Sequence, residues 1–228
     1  MQKQTRYLDL LSPVGFLELF GNESNKEILL AFLNTMLKGR TTIGDIKCYV
    51  SAPSKLEKGI DGTALILICS GPGGERFLVL LVYLNKYVEW ARFMSGVLGF
   101  TFSFNNHPLN DVKNVPVFAI GLGNYQTPGF LDGHREDEYI VRSVIEEIRN
   151  HPSSADKIFE DNINTAVDIE TAMVELPRFS KTEKELNTDV DRWLFLLRNL
   201  GGMNEIPSSL NKEIFSKVFE ASGRRKKR

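Results

Sequence analysis

Two carboxylates border the most apolar part of the chain. Asp61 lies just before it, and Glu75 follows fourteen residues later. Carboxylates on neighbouring strands can hold Mg²⁺, which prefers oxygen ligands, and a bound Mg²⁺ can assist hydrolysis of a phosphate ester. Asp61-Gly62 and Gly74-Glu75 are also turn-forming pairs, so both acids are expected to face water at strand ends. A metal site built on them is therefore an alternative and not the leading interpretation.

The histidines and cysteines predict no other reactive site. The three histidines are scattered through polar stretches, without the i, i+4 spacing or cysteine partners of a zinc site, at His107, His134 and His151. Cys48 and Cys69 both lie within apolar runs, which predicts reduced thiols in the core. No pairing of a nucleophile with a histidine can be read from the sequence.

The acids flank an element that we interpret as a hairpin of buried strands followed by a helix. Two short apolar runs, Thr63–Cys69 and Phe77–Tyr83, are separated by the turn residues Gly71-Pro72-Gly73-Gly74. After Leu84 the apolar residues recur every three to four positions, which predicts a helix from about Asn85. Its polar residues Lys86, Glu89 and Arg92 are three apart, a spacing typical of surface ion pairs.

Further strands and helices are predicted on both sides of this hairpin. Strands are expected at residues 43–50 and 115–121, with a loop at 51–59. Ser24 and Glu27 form a capping-box pattern before a helix that Gly39 ends, and Thr182 and Glu185 form a second one. Apolar spacing predicts amphipathic helices over residues 136–150 and, from Pro207, at the C-terminal end.

Composition predicts a soluble domain of ordinary kind. The 228 residues are 42% hydrophobic and 25% charged, and the formal net charge is −1, so there is no overall basic field. Neither a signal peptide nor an apolar run long enough to cross a membrane is visible, and we expect a cytoplasmic protein without membrane partners. The basic run Arg224–Arg228 is expected to be a disordered, solvated tail, although it has the charge to attract phosphates.

Three separated blocks of the sequence resemble the Rpn family of recombination-promoting nucleases, also described as PD-(D/E)XK nuclease family transposases. The first is RYLDLLSPVGFLELFGNESNKEILLAFLNTMLKGR, at residues 6–40, and the second is the hairpin with GERFLVLLV at 74–82. The third combines AMVELPRF at 172–179 with Asp191, Trp193 and Leu194, which resemble a D-x-W-L segment. The resemblance extends over residues 6–222 and implies a restriction-endonuclease-like α/β fold, with a mixed central sheet flanked by helices and additional C-terminal helices.

The polar positions that the resemblance marks as catalytic are apolar in this chain. The family's two metal-binding carboxylates fall on Ile66 and Leu80, and its glutamine falls on Val82; in the opening block, an Asp falls on Pro13 and a Lys on Leu17. Aliphatic side chains offer no oxygen to Mg²⁺, which active relatives use. The resemblance therefore implies a nuclease fold without its metal site and no expected cofactor. Arg92, with Lys86, is the retained candidate for contact with DNA phosphates.

Three functions follow as hypotheses. The leading one is a catalytically degenerate relative that keeps the fold and DNA or protein binding. The alternative is an active Mg²⁺-dependent DNA endonuclease that uses displaced acids such as Asp61 and Glu75, and the third is a purely structural or protein-interaction role. We predict a nuclease-like core over residues 1–180, a helical extension over 181–222 packed on the same domain, and the tail at 223–228. The oligomeric state is left open.

Overall fold

The computed structural model describes residues 6–53, 62–86, 93, 95–97, 99, 115–126, 135–137, 140–144 and 168–223. Seven strands form one mixed sheet in the order β1-β2-β3-β4-β7-β6-β5. Neighbours pair antiparallel except for β3–β4 and β4–β7, which are parallel. The strands are β1 (Asp45–Pro53), β2 (Gly62–Ser70), β3 (Arg76–Leu84), β4 (Val117–Gly123), β5 (Arg135–Asp137), β6 (Ile140–Val144) and β7 (Ile169–Glu175).

Four α-helices contribute to the large apolar core on one face of this sheet: α1 (Pro13–Phe20), α2 (Lys26–Met36), α3 (Asp189–Asn199) and α4 (Glu213–Ser222). Aromatic rings join three of them, because Trp193 of α3 packs against Phe32 of α2 and Phe215 of α4 with centroids 5.4 and 5.2 Å away. The C-terminal helices thus share the core of the sheet. The predicted α/β restriction-endonuclease-like fold is confirmed, and the domain boundary at residue 180 stays a prediction.

A smaller apolar cluster covers the opposite face of the sheet. It contains Leu80 and Val82 of β3, Ala119 of β4 and Met173 of β7, closed over by Phe93 and Val97. Residues 93, 95–97 and 99 are helical, as predicted for the segment that follows β3, while Asn85 and Lys86 are not helical. The sheet therefore separates two cores of unequal size.

Local sequence explains where the first helix begins. Ser12 precedes α1 in an extended conformation, and its hydroxyl accepts a hydrogen bond from the Gly15 amide at 3.1 Å. Pro13 occupies the first turn, where its missing N–H costs nothing. A Tyr83 hydroxyl contact to the Leu11 carbonyl then ties the start of α1 to β3.

Several predicted elements are confirmed. The central hairpin pairs over its whole length, from Gly62 with Leu84 to Ser70 with Arg76, and Gly74 adopts a φ of 86° in its turn. The strand predicted at 43–50 is β1, which runs on to Pro53 into the predicted loop, and the strand predicted at 115–121 is β4. Gly39 follows α2 with a φ of 82°.

Two predictions about helices were wrong. Residues 140–144 lie within the helix predicted over 136–150, but they form the strand β6. Three of these five residues are β-branched, which favours a strand. The backbone of β6 pairs with β7, from Ile140 with Val174 to Val144 with Glu170. Residues 145–150 lie outside the described residues. The capping box of Ser24 does not form, because α2 begins at Lys26 and Asn22 instead accepts a bond from the Ser24 amide at 3.0 Å.

The second capping box is confirmed. The Glu185 side chain accepts from both the amide and the hydroxyl of Thr182, at 2.8 and 2.7 Å. The helical turn that it caps is only Glu183–Glu185, and α3 begins four residues later with a box of its own, formed by Thr188 and Asp191. The final helix is also confirmed, although α4 starts at Glu213 after a short 3-10 turn that follows Pro207.

Candidate functional site

The hairpin brings together the three central positions that the family resemblance marked as catalytic. Ile66 of β2 and Leu80 of β3 are direct partners in the antiparallel ladder, and Val82 lies two residues beyond Leu80 on the same face. Directly paired residues have Cβ atoms about 5 Å apart, close enough to share one metal ion if both carried carboxylates. The scaffold thus has the geometry for a two-carboxylate site, although these side chains are aliphatic.

The surroundings of these three positions are apolar, although Ile66 itself is only half-buried. Leu80 and Val82 are fully buried, and Ile66 packs against the same cluster with Phe93, Val97 and Met173. Across the part of the chain that the structure describes, no group of three His, Cys, Asp or Glu side chains is placed to hold a metal ion. The arrangement supplies van der Waals packing and no ligands for Mg²⁺.

The two positions in the first helix lie elsewhere. Pro13 is exposed at the start of α1, and Leu17 packs against the large core on the other face of the sheet. The sheet therefore separates Leu17 from Ile66, Leu80 and Val82. Only the hairpin positions are brought together, and the assignment of all five as former catalytic positions stays a prediction.

The remaining predicted residues are dispersed or not described. Glu75 is exposed, and its carboxylate folds over Gly71 and Gly73 in the hairpin turn. Lys86 is exposed beyond the end of β3. Asp61, Arg92 and the three histidines lie outside the described residues, as does the tail 224–228, so their predicted roles stay predictions.

Met173 and Phe93 fill space that a glycine leaves beside Val82. Gly121 of β4 pairs with Val82 on one side and with Met173 on the other. A Cβ atom built at Gly121 would lie 2.8 Å from Met173 Sδ and 3.3 Å from Phe93 Cζ. Tyr125 adds to this packing, because its hydroxyl contacts Met173 Sδ at 3.7 Å. We call these three side chains the cover over Gly121.

Gly121→Ala is expected to lower the free energy of unfolding by about 1–3 kcal/mol, because the added methyl group overpacks this cover. Gly99→Ala is the matched control. Gly99 is helical, exposed and has no atom near its missing Cβ, so this change should be neutral or stabilising by about 0.5–1 kcal/mol. Urea denaturation of both variants measures the difference, and equal stability of the two would show that the cover is loosely packed.

Sequence reasoning missed a buried carboxylate on this same face of the sheet. Glu175 ends β7, is fully buried, and forms an ion pair with Arg178. It alternates along the strand with Ile169 and Met173, which belong to the smaller cluster, and it pairs with Gly123 of β4. The phrase VELPRF contained both charges, but only the three-dimensional structure shows that the acid is buried.

A second buried carboxylate belongs to the D-x-W-L segment and is structural. Asp191 accepts from Lys181 Nζ at 2.6 Å and from the amides of Asn187 and Thr188 at 3.1 and 2.9 Å. The Thr188 hydroxyl in turn accepts from the Asp191 amide at 3.0 Å. This reciprocal arrangement fixes the start of α3 and thereby places Trp193 in the core.

Cys69 is buried in the large core, as predicted, and burial raises the pKa of its thiol to about 12. The Cys48 side chain lies outside the described part. Because the thiolate is the reactive form, Cys69 is expected to resist a thiol reagent such as DTNB at pH 8 until the protein unfolds. Mass spectrometry of the labelled Cys48→Ser variant, with and without urea, checks this; rapid labelling without urea would contradict the burial.

Comparison with known proteins agrees with the family resemblance. Residues 145–228 match the family model described as PD-(D/E)XK nuclease family transposase. No curated protein and no solved structure matches significantly. No helix among the described residues is long and apolar enough to span a membrane. The matched segment includes β7, the buried Glu175 and Asp191, and the aromatic anchor Trp193, while the central hairpin lies before it. Residues 145–228 of the chain are therefore similar to the PD-(D/E)XK nuclease family transposases.

Proposed function

We propose that this protein is a catalytically degenerate member of the nuclease group, which keeps the fold and a DNA- or protein-binding role but does not cut DNA. The observation that carries the proposal is the direct pairing of Ile66 with Leu80 inside an apolar cluster. A metal-dependent nuclease needs oxygen ligands at its centre, and these two side chains have none. No metal cofactor is expected at this position.

The alternative, an active site built on displaced acids, requires Asp61 and Glu75 to reach one metal ion. Glu75 lies at the turn end of the hairpin, next to the Ser70–Arg76 pair. Gly62, the described residue that follows Asp61 in sequence, pairs with Leu84 at the opposite end. Nine-residue strands separate those ends by about 27 Å, far more than the diameter of a metal site. The hairpin geometry therefore favours the degenerate interpretation.

A plasmid-nicking assay with Mg²⁺ or Mn²⁺ tests the proposal. The unmodified protein is expected to leave supercoiled plasmid intact, as are the Asp61→Ala and Glu75→Ala variants. Cleavage by the unmodified protein that persists after chelating-resin treatment and separate addition of Mg²⁺ would overturn the proposal. Loss of that cleavage in the double Asp61→Ala, Glu75→Ala variant would then assign it to the displaced acids.

A gain-of-function variant provides a second test of the proposal. Ile66→Asp, Leu80→Glu and Val82→Gln together restore the polar residues that the resemblance places on this face. Isothermal titration of Mn²⁺ is expected to detect a site in this triple variant and none in the unmodified protein. A stoichiometric site in the unmodified protein that survives Asp61→Ala and Glu75→Ala would contradict the assignment of the hairpin positions.

A further inference from the structure

We infer that this protein binds a nucleic-acid backbone through two basic segments, residues 1–6 and 224–228, which start from neighbouring points on its surface. The inference rests on the binding role proposed above and gives that role a location and a ligand chemistry. We call Lys3, Arg6 and residues 224–228 together the paired basic segments. Neither segment includes a residue of the central hairpin, and binding through them needs no metal ion.

A backbone contact between Tyr7 and Gly223 joins the starting points of the two segments. These residues form an antiparallel bridge, and the Leu8 amide donates to the Ser222 carbonyl at 3.0 Å. In an antiparallel bridge, the residue before one partner and the residue after the other lie on the same side. The chain before Tyr7 and the chain after Gly223 therefore leave the bridge side by side, although almost the whole sequence separates them.

Side-chain contacts anchor this bridge to the large core. The Tyr7 ring is buried and packs edge-on against Phe219 of α4, with the ring centroids 5.1 Å apart. Arg6 is exposed, its Cζ atom lies 5.3 Å from the Tyr7 ring centroid, and its Nη1 atom donates to the Asn204 carbonyl at 3.0 Å. Gly223 is also exposed. The bridge is thus fixed by the core, and both segments start at its surface.

Chain length limits how far the basic residues can lie from the bridge. An extended chain spans at most about 3.6 Å per residue, so residue 228 lies within about 18 Å of Gly223 and Lys3 lies within about 14 Å of Tyr7. These limits hold for every backbone conformation. Duplex DNA carries one negative charge per ~1.7 Å of its axis, so one short stretch of duplex offers enough phosphates for all these residues.

Positive charge is concentrated in the paired basic segments and not in the rest of the chain. Residues 1–6 and 223–228 contain seven of the 28 lysines and arginines and no acid. Because the formal net charge of the whole chain is −1, the remaining residues carry a net charge of −8. Three acids lie within three positions of the bridge residues or of the residue that accepts from Arg6: Asp9, Glu205 and Glu220. Counted against the seven cations, these acids leave an excess of four positive charges.

A nucleic-acid backbone is the partner that fits this charge. Four of the seven cations are arginines, whose planar guanidinium groups can donate two hydrogen bonds to one phosphate. Runs of five or more like charges often serve as interaction tails, and basic arms of this kind bind nucleic acids. Basic segments that bind membranes usually add Trp, Phe or Leu side chains, and the paired basic segments contain none. The composition therefore favours nucleic-acid phosphates over lipid headgroups.

Fluorescence anisotropy with a short labelled DNA duplex in EDTA tests the inference on two charge variants. One is Lys3→Gln with Arg6→Gln, and the other replaces all five residues 224–228 by Gln. Lys38→Gln with Lys184→Gln is the control, because it removes two charges at exposed positions outside the paired basic segments. Each lost phosphate contact reduces the slope of log K against log salt by about 0.9, so the expected reductions are about 1–2 for the first variant and about 3–4 for the second. The control is expected to keep the slope of the unmodified protein.

A linker variant tests whether the two segments act at one place. About 20 glycine and serine residues inserted between Gly223 and Arg224 keep every charge but separate the tail from the bridge by an r.m.s. distance of about 25 Å. The same linker added after Arg228 is the matched control. The insertion is expected to weaken DNA binding about threefold or more, because the effective concentration of the tail beside Arg6 falls. The linker added after Arg228 should leave the affinity unchanged.

Weaker binding in both charge variants and in the inserted-linker variant, with no change in the two controls, supports the inference. Absence of DNA binding at low salt overturns it, as does equal binding by Lys3→Gln with Arg6→Gln and its control, or by the two linker variants. Sedimentation with vesicles that contain phosphatidylserine adds one outcome: binding to vesicles without binding to DNA overturns nucleic acid as the partner. Because the titrations contain EDTA, cleavage in the plasmid-nicking assay would overturn the proposed function and leave this inference standing.

Discussion

Leu80→Glu is expected to lower the free energy of unfolding by about 3–5 kcal/mol at pH 8, because it places an uncompensated charge in a dry core. Leu80 is fully buried at the centre of β3, with Ile66 opposite and Ala119 alongside in β4. None of these neighbours can donate a hydrogen bond from its side chain. Urea denaturation measures the loss directly.

The pH dependence identifies burial of charge as the cause. Burial raises the pKa of a carboxyl group in the folded protein above its unfolded value. The neutral acid is present in both states below the unfolded pKa, so the charge-dependent part of the deficit should be small near pH 4. It should grow as pH rises from the unfolded pKa to the folded pKa and stay constant above that. The cost of burying the neutral carboxyl group remains at every pH. Val14→Glu is the control, since Val14 is 64% exposed and the added acid lies in the first turn of α1.

Metal dependence of the same variants tests the assignment of the site. Ile66→Asp combined with Leu80→Glu should be less stable than Leu80→Glu alone in EDTA, because two carboxylates then repel each other. Mn²⁺ should recover part of that loss in the double variant and none in Leu80→Glu or Val14→Glu, since binding to the folded state alone is stabilising. An unchanged melting temperature for Leu80→Glu would show that this face is open to water.

The strands of the core were predictable because their signals are local. Apolar runs separated by Gly71-Pro72-Gly73-Gly74 allow little but a hairpin, and the observed pairing follows from them. The segment at residues 140–144 was not predictable in this way, because its apolar spacing also fits a helix. Pairing with β7, a contact between distant parts of the chain, decides in favour of the strand.

The same difference between local signals and long-range contacts applies to the candidate sites. Sequence resemblance identified Ile66, Leu80 and Val82, and the structure brings them together because adjacent strands fix their register. The burial of Glu175 depends on how β4 and β7 align, which no local pattern encodes. Asp191 was recognised in the sequence only as part of a segment that resembles the family's D-x-W-L segment. Its role in capping α3 is visible only from the hydrogen bonds in the structure.

Asp191→Asn is expected to cost about 3–5 kcal/mol of stability, because the change removes a buried charge whose partners remain. Both carboxylate oxygens accept hydrogen bonds, one from Lys181 and the other from two backbone amides. An asparagine side chain keeps one acceptor oxygen and turns a donor NH₂ toward the remaining partners. Either the lysine or the amides at the start of α3 then lose their acceptor.

The control for this prediction lies two residues earlier in the same helix. Asp189 pairs with Lys212 and Arg192, but its side chain is 43% exposed, and these cations lower its pKa. Asp189→Asn is therefore expected to cost no more than about 1 kcal/mol, since water screens exposed ion pairs. Equal losses for Asp189→Asn and Asp191→Asn would mean that charge near the helix start matters and burial does not.

The Lys181→Met variant measures the contribution of the ion pair to stability separately from that of the helix cap. Removing the lysine leaves Asp191 with its two amide donors, so this variant should lose less stability than Asp191→Asn, and the double variant should lose less than the sum. If Lys181→Met instead equals Asp191→Asn, the ion pair carries the whole effect and the cap contributes little. In the expected case, this aspartate of the matched family segment acts by fixing the start of α3, which holds Trp193 against Phe32 and Phe215. The motif then serves the fold, which is compatible with the proposed absence of a metal site.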